Sequence, residues 1–191
     1  LCRMSEYFGL GIVVDAFLEL KKDPRFKNLR LHLAGGYTGL DKPFVDKQVA
    51  RITEQGWKDD IQIFREFDKK NRIPFLKSLT LLSVPVPSGE AFGAYQVEAL
   101  AAGVPVVQPD VGCYPEFVEA TQGGIIFKPN TGEALAAAAS SLLQEPERVR
   151  RLGEQGHSAV VADYSMDDMA RNILALYERI LNLGEEDRDN G

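Results

Sequence analysis

Cysteine and histidine are scarce in this sequence of 191 residues. There are two cysteines, Cys2 and Cys113, and two histidines, His32 and His157. A disulfide framework or a zinc site needs more of these residues at short spacing, so neither is expected. The histidines also stand in none of the chain orders that a hydrolase triad uses. This sparse cysteine content fits a reducing compartment, and we expect the protein to be cytoplasmic.

Long apolar runs and an excess of basic residues are lacking as well. No run approaches the ~18 residues of a membrane span, and no basic region followed by an apolar one opens the chain, so neither a span nor a signal peptide is predicted. The 22 basic and 28 acidic residues give a net charge of −6. This balance argues against sequence-independent binding of nucleic acid, which needs a broad basic face. Any anionic ligand must therefore be held locally.

What is present is the composition of a soluble globular domain, 45% hydrophobic and 26% charged. Patterns typical of strands and helices alternate, which predicts an α/β fold of Rossmann-like type, a parallel sheet with helices on both faces. Strands are predicted at 29–34, 61–64, 80–86, 104–107 and 124–127. Helices are predicted at 11–21, about 44–56, 69–78, 92–102, 132–144, 146–163 and 167–183. We expect one domain over residues 1–183, followed by a charged, disordered tail at 184–191.

The segment at 88–99 joins a predicted strand to a predicted helix. In a sheet of this type ligands bind outside the carboxyl ends of the strands, where helix N-termini point. Gly89 and Gly93 allow tight turns and close approach of a ligand. The amides at about Gly93, Ala94 and Tyr95, with the positive end of the helix behind them, suit a phosphate or a diphosphate.

Two carboxylates, Glu90 and Glu98, flank these amides, with seven residues between them. Carboxylates accept hydrogen bonds from vicinal diols, so one could bind a ribose and the other a sugar. The alternative is that Glu90 is a solvated loop charge and Glu98 a charge on the helix surface. A nucleoside diphosphate sugar is the ligand that would use both carboxylates and the amides.

Three elements in order resemble the donor-site signature of glycosyltransferase group 1. They are the two carboxylates, the Gly-Val-Pro-Val-Val sequence at 103–107 and the Gly-Cys-Tyr-Pro-Glu sequence at 112–116. The resemblance extends over roughly residues 1–180. It implies the C-terminal, donor-binding half of a GT-B hexosyltransferase that retains the anomeric configuration and uses neither a metal nor a cofactor. The acceptor-binding N-terminal domain would lie outside this chain, and the isolated domain is expected to be inactive.

The resemblance also assigns individual residues. Glu98 becomes the ribose ligand, Glu90 the contact to the transferred sugar, and Arg3 a cation that assists departure of the diphosphate. Backbone amides at the start of the helix would bind the diphosphate, a glycine-rich loop would pass near the donor, and the nucleobase would lie after the 61–64 strand. The residues assigned in this way are Phe92, Gly93, Ala94 and Tyr95 for the diphosphate, Gly35 and Gly36 for the loop, and Arg65 and Phe67 for the base.

One departure bears on catalysis. The family pattern places a lysine five residues after the arginine, but this chain has Phe8 there, before the matching Gly9. An aromatic ring cannot neutralise a leaving diphosphate, and loss of such a contact costs about 2–4 kcal/mol of transition-state stabilisation. Two further hypotheses therefore stand beside a transferase, a catalytically degenerate nucleotide-sugar-binding module and a GT-B type epimerase. In a second departure, Cys113 replaces a glycine of the family loop, and we interpret it as a packed side chain.

Overall fold

The structure is a computed structural model that describes residues 2–65 and 69–189, and the side chains of residues 2–65 and 70–181. Helices and parallel strands alternate through most of this part of the chain. The helices are α1 (Leu10–Lys21), α2 (Lys42–Glu54), α3 (Lys69–Lys77), α4 (Ala94–Ala101), α5 (Tyr114–Thr121), α6 (Gly132–Leu143), α7 (Pro146–Asp163) and α8 (Met166–Asp189). The strands are β1 (Leu31–Ala34), β2 (Ile61–Phe64), β3 (Val106–Pro109) and β4 (Gly124–Phe127).

The strands form two parallel pairs. Strand β1 pairs with β2 from Leu31 opposite Ile61, and β3 pairs with β4 from Val106 opposite Gly124. A cavity of about 560 Å³ separates the pairs, between β1 and residues 79–84. Within the described residues the two pairs are not joined into one continuous ladder.

The strand predicted at 80–86 is wrong over most of its length. Only Leu82 forms a bridge, to Val106 of β3. The Val84 amide instead bonds the side chain of Gln108 at 3.0 Å, and Val86 turns back onto the Val84 carbonyl at 2.9 Å. Pro85 has no N–H to donate, so a ladder could not continue past this point.

Helix α1 joins the two halves of the core. Val14 and Phe17 pack with β1 and α2, whereas Ala16 and Leu20 pack with α6, β3 and β4. A third apolar cluster lies under α4, α5 and α7 and includes Leu100, at 0% exposure. The apolar residues of α1 are thus buried on two sides, as is usual for a helix that covers a parallel sheet.

Helix α5 is not among the elements predicted from the sequence, and it begins inside the motif at 112–116. Pro115 lies in its first turn, where a missing amide costs nothing and the fixed φ favours a helix. At the other end of the chain, α8 continues to Asp189, beyond residue 183, where the sequence pattern ends the last helix. Among the described residues, no helix is long and apolar enough to cross a membrane.

Candidate functional site

A cavity of about 300 Å³ opens where the carboxyl end of β1 faces the start of α4. This is the edge of a parallel sheet where ligands are expected, beside the positive end of a helix. The residues that line it are Cys2, Ala34, Gly35, Arg72, Ala94, Tyr95 and Glu98. The structure therefore brings together four of the residues predicted from the sequence, one on β1's loop and three on α4.

The start of α4 is well anchored. The first bond of the helix runs from the Gln96 amide to the Gly93 carbonyl at 2.9 Å, so the Ala94 and Tyr95 amides precede it in the first turn, where a helix supplies no acceptor. Below them the buried Tyr95 hydroxyl donates to Tyr114 at 2.7 Å, and Tyr114 donates to a backbone carbonyl at 3.1 Å. Burial raises the pKa of both tyrosines above the ordinary value of 10.0, so the hydroxyls stay protonated and keep these hydrogen bonds even in alkaline solution.

Glu98 lies on α4 with its side chain about one-third exposed, and it forms an ion pair with Arg72 of α3. The Arg72 Nη1 to Glu98 Oε1 distance is 2.6 Å. Sequence reasoning placed Glu98 in the site but missed Arg72. Helical periodicity shows which residues of one helix share a face, but it carries no signal for a partner 26 residues away on another helix.

Glu90 stands beside the cavity, in the loop before α4. Its carbonyl accepts from the Cys113 amide at 3.0 Å, and Gly112 packs against its backbone so closely that a Cβ there would lie 2.7 Å from the Glu90 nitrogen. Gly112 also has a φ of 60°, which other residues rarely adopt. Burial raises the pKa of Cys2 and Tyr95, which line the cavity, and the nearby Glu90 carboxylate contributes to both rises.

Phe92 and Cys113 support the same loop. Phe92 is 53% exposed, and its backbone carbonyl accepts from the Gln96 side chain at 3.1 Å and from the Cys113 thiol at 3.3 Å. Burial raises the pKa of Cys113, which keeps it in the thiol form. These contacts agree with the interpretation of Cys113 as a packed side chain and leave Phe92 as a backbone component of the loop.

Arg3 lies outside the 300 Å³ cavity. Its Nε donates to Asp41 at 2.8 Å and its Nη2 to Thr38 at 3.2 Å. The hydrogen bond from Arg3, with those from Thr38, holds the pKa of Asp41 well below its usual range. Gly36 is also outside the cavity, and its carbonyl accepts from the Met4 amide at 2.9 Å.

The remaining predicted positions lie apart from the cavity or outside the described structure. Phe8 packs against the apolar cluster under α4. The Arg65 guanidinium lies 5.3 Å from the centre of the Tyr37 ring, an arrangement that favours a cation–π contact. Phe67 lies outside the described residues.

The 560 Å³ cavity differs from this site in chemistry. Of the described residues that line it, most are apolar and none is acidic. Within the described part of the chain, His, Cys, Asp and Glu side chains form no group of three or more able to hold a metal ion. The 300 Å³ cavity is thus the candidate site, with amide donors, a carboxylate and a guanidinium around one space.

A family model described as glycosyl transferases group 1 matches residues 2–159. The chain belongs to this family. Among curated members, the chain is 29% identical over 182 residues to the lipopolysaccharide core biosynthesis mannosyltransferase LpsB of Rhizobium meliloti. The aligned residues cover 94% of this chain and 50% of LpsB. It is 35% identical over 183 residues to a D-inositol 3-phosphate glycosyltransferase of Segniliparus rotundus, covering 95% of the chain and 39% of that protein. The chain thus spans half or less of the length of these relatives.

Solved structures confirm the expected fold, the C-terminal half of a GT-B glycosyltransferase. The C-terminal domain of LpcC, a group 1 protein of Francisella tularensis, superposes with a TM-score of 0.75 at 20% identity and covers 87% of this chain and 84% of that one. Anabaena HepE in complex with UDP gives a TM-score of 0.80 at 19% identity, over 93% of this chain and 47% of HepE. The superposition with HepE thus covers nearly all of this chain but only about half of HepE.

Proposed function

We propose that this chain is the donor-binding half of a glycosyltransferase that transfers a sugar from a nucleoside diphosphate sugar, with retention of configuration and without a metal. The observation that carries the proposal is the 300 Å³ cavity at the start of α4. The Ala94 and Tyr95 amides suit the diphosphate, and the Glu98 carboxylate suits the ribose diol. Glu90, held beside the cavity by Gly112 and Cys113, suits the hydroxyls of the transferred sugar.

The relatives support a nucleotide sugar as the donor. LpsB is named a mannosyltransferase, and HepE was solved in complex with UDP and with UDP-glucose. Sugar transfer is the chemistry that the names of the two curated relatives, LpsB and the D-inositol 3-phosphate glycosyltransferase, share. In this chain the departing diphosphate would be stabilised by preorganised amides, which act most strongly where water is excluded.

We place the acceptor on a second, N-terminal domain, because the chain spans half or less of its curated relatives. Helix α8 supports this division. Ile173, Tyr177 and Leu181 recur at helical spacing on α8 and are 41%, 59% and 69% exposed, and an exposed apolar face of this kind suits packing against another domain. Both cysteines are free thiols, which agrees with a cytoplasmic enzyme.

The donor assignment is tested by calorimetric titration of the chain with UDP-, GDP- and ADP-sugars. One of the three should bind at micromolar to submillimolar affinity. Glu98→Gln should weaken that binding by about tenfold to a hundredfold, because a charged acceptor of the ribose is lost. Glu119→Gln is the matched control, since Glu119 is an exposed glutamate on α5 that does not line the cavity. Equal binding by the two variants would contradict the assignment.

Phe8 favours a second candidate function, a nucleotide-sugar-binding module that has lost transfer. Its ring packs against the core cluster, and Arg3 is engaged with Asp41, so neither position supplies a cation to the cavity. Turnover of a nucleotide sugar by the protein together with its N-terminal domain would exclude this alternative. A large rise in turnover for Phe8→Lys would support it.

A further inference from the structure

We propose that Arg72 is the cationic donor-binding residue of this chain, which neutralises Glu98 and contacts the diphosphate of the bound nucleotide. The inference rests on the proposed function, because it names a contact within the same site. Arg72 corresponds to none of the signature residues by which the sequence resembles the family. Its position on α3, bonded to Glu98 and lining the same cavity as the start of α4, carries the argument.

Charge balance favours a cation at this site. Glu98 lines the cavity, and the Glu90 carboxylate is close enough to contribute to the raised pKa of Cys2 and of Tyr95, which also line the cavity. A nucleoside diphosphate brings further negative charge, which two carboxylates would repel. Among the described residues that line the cavity, Arg72 is the sole basic side chain. It therefore offsets the charge of the carboxylate that the ribose needs.

The geometry allows Arg72 to serve both groups. Its side chain is 41% exposed and its Nη1 lies 2.6 Å from Glu98 Oε1. A guanidinium presents five N–H donors in a planar fork, so it can bind a carboxylate and a phosphate oxygen together. Ala94 and Tyr95 line the same cavity, so a phosphate at their amides would meet both the helix end and the guanidinium.

The two positions at which the family pattern expects a cation do not compete with Arg72. Phe8 is apolar and packs against the core. Arg3 donates to Asp41 and Thr38 and does not line this cavity. In this chain the basic side chain at the cavity thus comes from α3 and not from the loop before α1.

The test compares UDP, GDP and ADP with uridine, guanosine and adenosine as calorimetric ligands of the chain. For the diphosphate that wild type prefers, Arg72→Gln should lower affinity by roughly tenfold to a hundredfold, the range expected for a lost charge-assisted hydrogen bond. Affinity for the matching nucleoside should change by much less. Arg72→Lys should recover part of the loss, since it restores the charge without the planar fork. The salt dependence of diphosphate binding should also be shallower in Arg72→Gln than in wild type.

Arg150→Gln is the matched control. Arg150 forms an exposed ion pair with Glu154 at the same 2.6 Å distance, on α7 and away from the cavity, so its loss should leave binding unchanged. If Arg72→Gln binds the nucleoside diphosphate as wild type does, or binds the nucleoside and the diphosphate more weakly by the same factor, the role of Arg72 is wrong. The assignment of the donor site is then unaffected. If wild type binds none of the three diphosphates, the proposed function is wrong and the inference falls with it.

Discussion

Replacing Gly112 by alanine should destabilise the protein and displace Glu90. An alanine Cβ there would lie 2.7 Å from the Glu90 nitrogen and 2.8 Å from its carbonyl oxygen, and both are backbone atoms that cannot rotate away. The φ of 60° adds about 1–2 kcal/mol of strain for a residue with a Cβ. Overpacking of this kind costs a further 1–3 kcal/mol or so, which gives a total of about 2–5 kcal/mol.

Gly103→Ala separates the two contributions. Gly103 has a φ of 77°, but a Cβ there would meet nothing within 4 Å, so its substitution should cost only the strain, about 1–2 kcal/mol. The assay is urea unfolding of both variants, with the free energy of unfolding extrapolated to water. Gly112→Ala should also weaken binding of the nucleotide sugar more than that of the nucleoside diphosphate, because Glu90 is assigned to the sugar. Equal stabilities for the two variants would refute the reasoning that Gly112 braces Glu90.

Three further predictions concern stability. Tyr114→Phe should lower the free energy of unfolding by about 2–4 kcal/mol in urea titrations, because it removes two buried hydrogen bonds, one of them to Tyr95. The Arg3 hydrogen bond lowers the pKa of Asp41 in the folded state, so the stability contributed by the Asp41 carboxylate is complete above the ordinary pKa of 3.8 and is lost as the pH falls below it. Asp41→Asn should therefore reduce the loss of the free energy of unfolding with falling pH, measured in urea titrations at acidic pH. Lys21→Met should cost about 1–3 kcal/mol in thermal unfolding, because it leaves two oxygen acceptors, now within 2.8 Å of the buried ammonium, without their donor.

The sequence predicted the regular elements where one pattern dominates. Residues 61–64, 124–127 and 146–163 have the predicted strand or helix with the predicted bounds. The prediction of a strand at 80–86 was wrong because it rested on an apolar run that is typical of a buried strand. In the structure Pro85 and the Gln108 side chain divert the backbone from the ladder. Helix α5 was missed although Pro115 in its first turn was the available signal.

The candidate site was predictable only where it is local in sequence. Ala94, Tyr95 and Glu98 belong to one turn-and-helix unit, and their arrangement follows from helix geometry. The partners that decide the charge of the site come from elsewhere in the chain. Arg72 pairs with Glu98, 26 residues away in the sequence, and Arg3 pairs with Asp41, 38 residues away. No periodic sequence pattern predicts either contact.

The central claim is that the cavity at the start of α4 binds a nucleotide sugar, and backbone amide NMR shifts of the chain during titration with the preferred UDP-, GDP- or ADP-sugar test it most directly. The account predicts the largest shifts at Ala94, Tyr95 and Gly35, with Glu98→Gln reducing them. Shifts confined to the residues around the 560 Å³ cavity, or no saturable shifts with any of the three ligands, would contradict it.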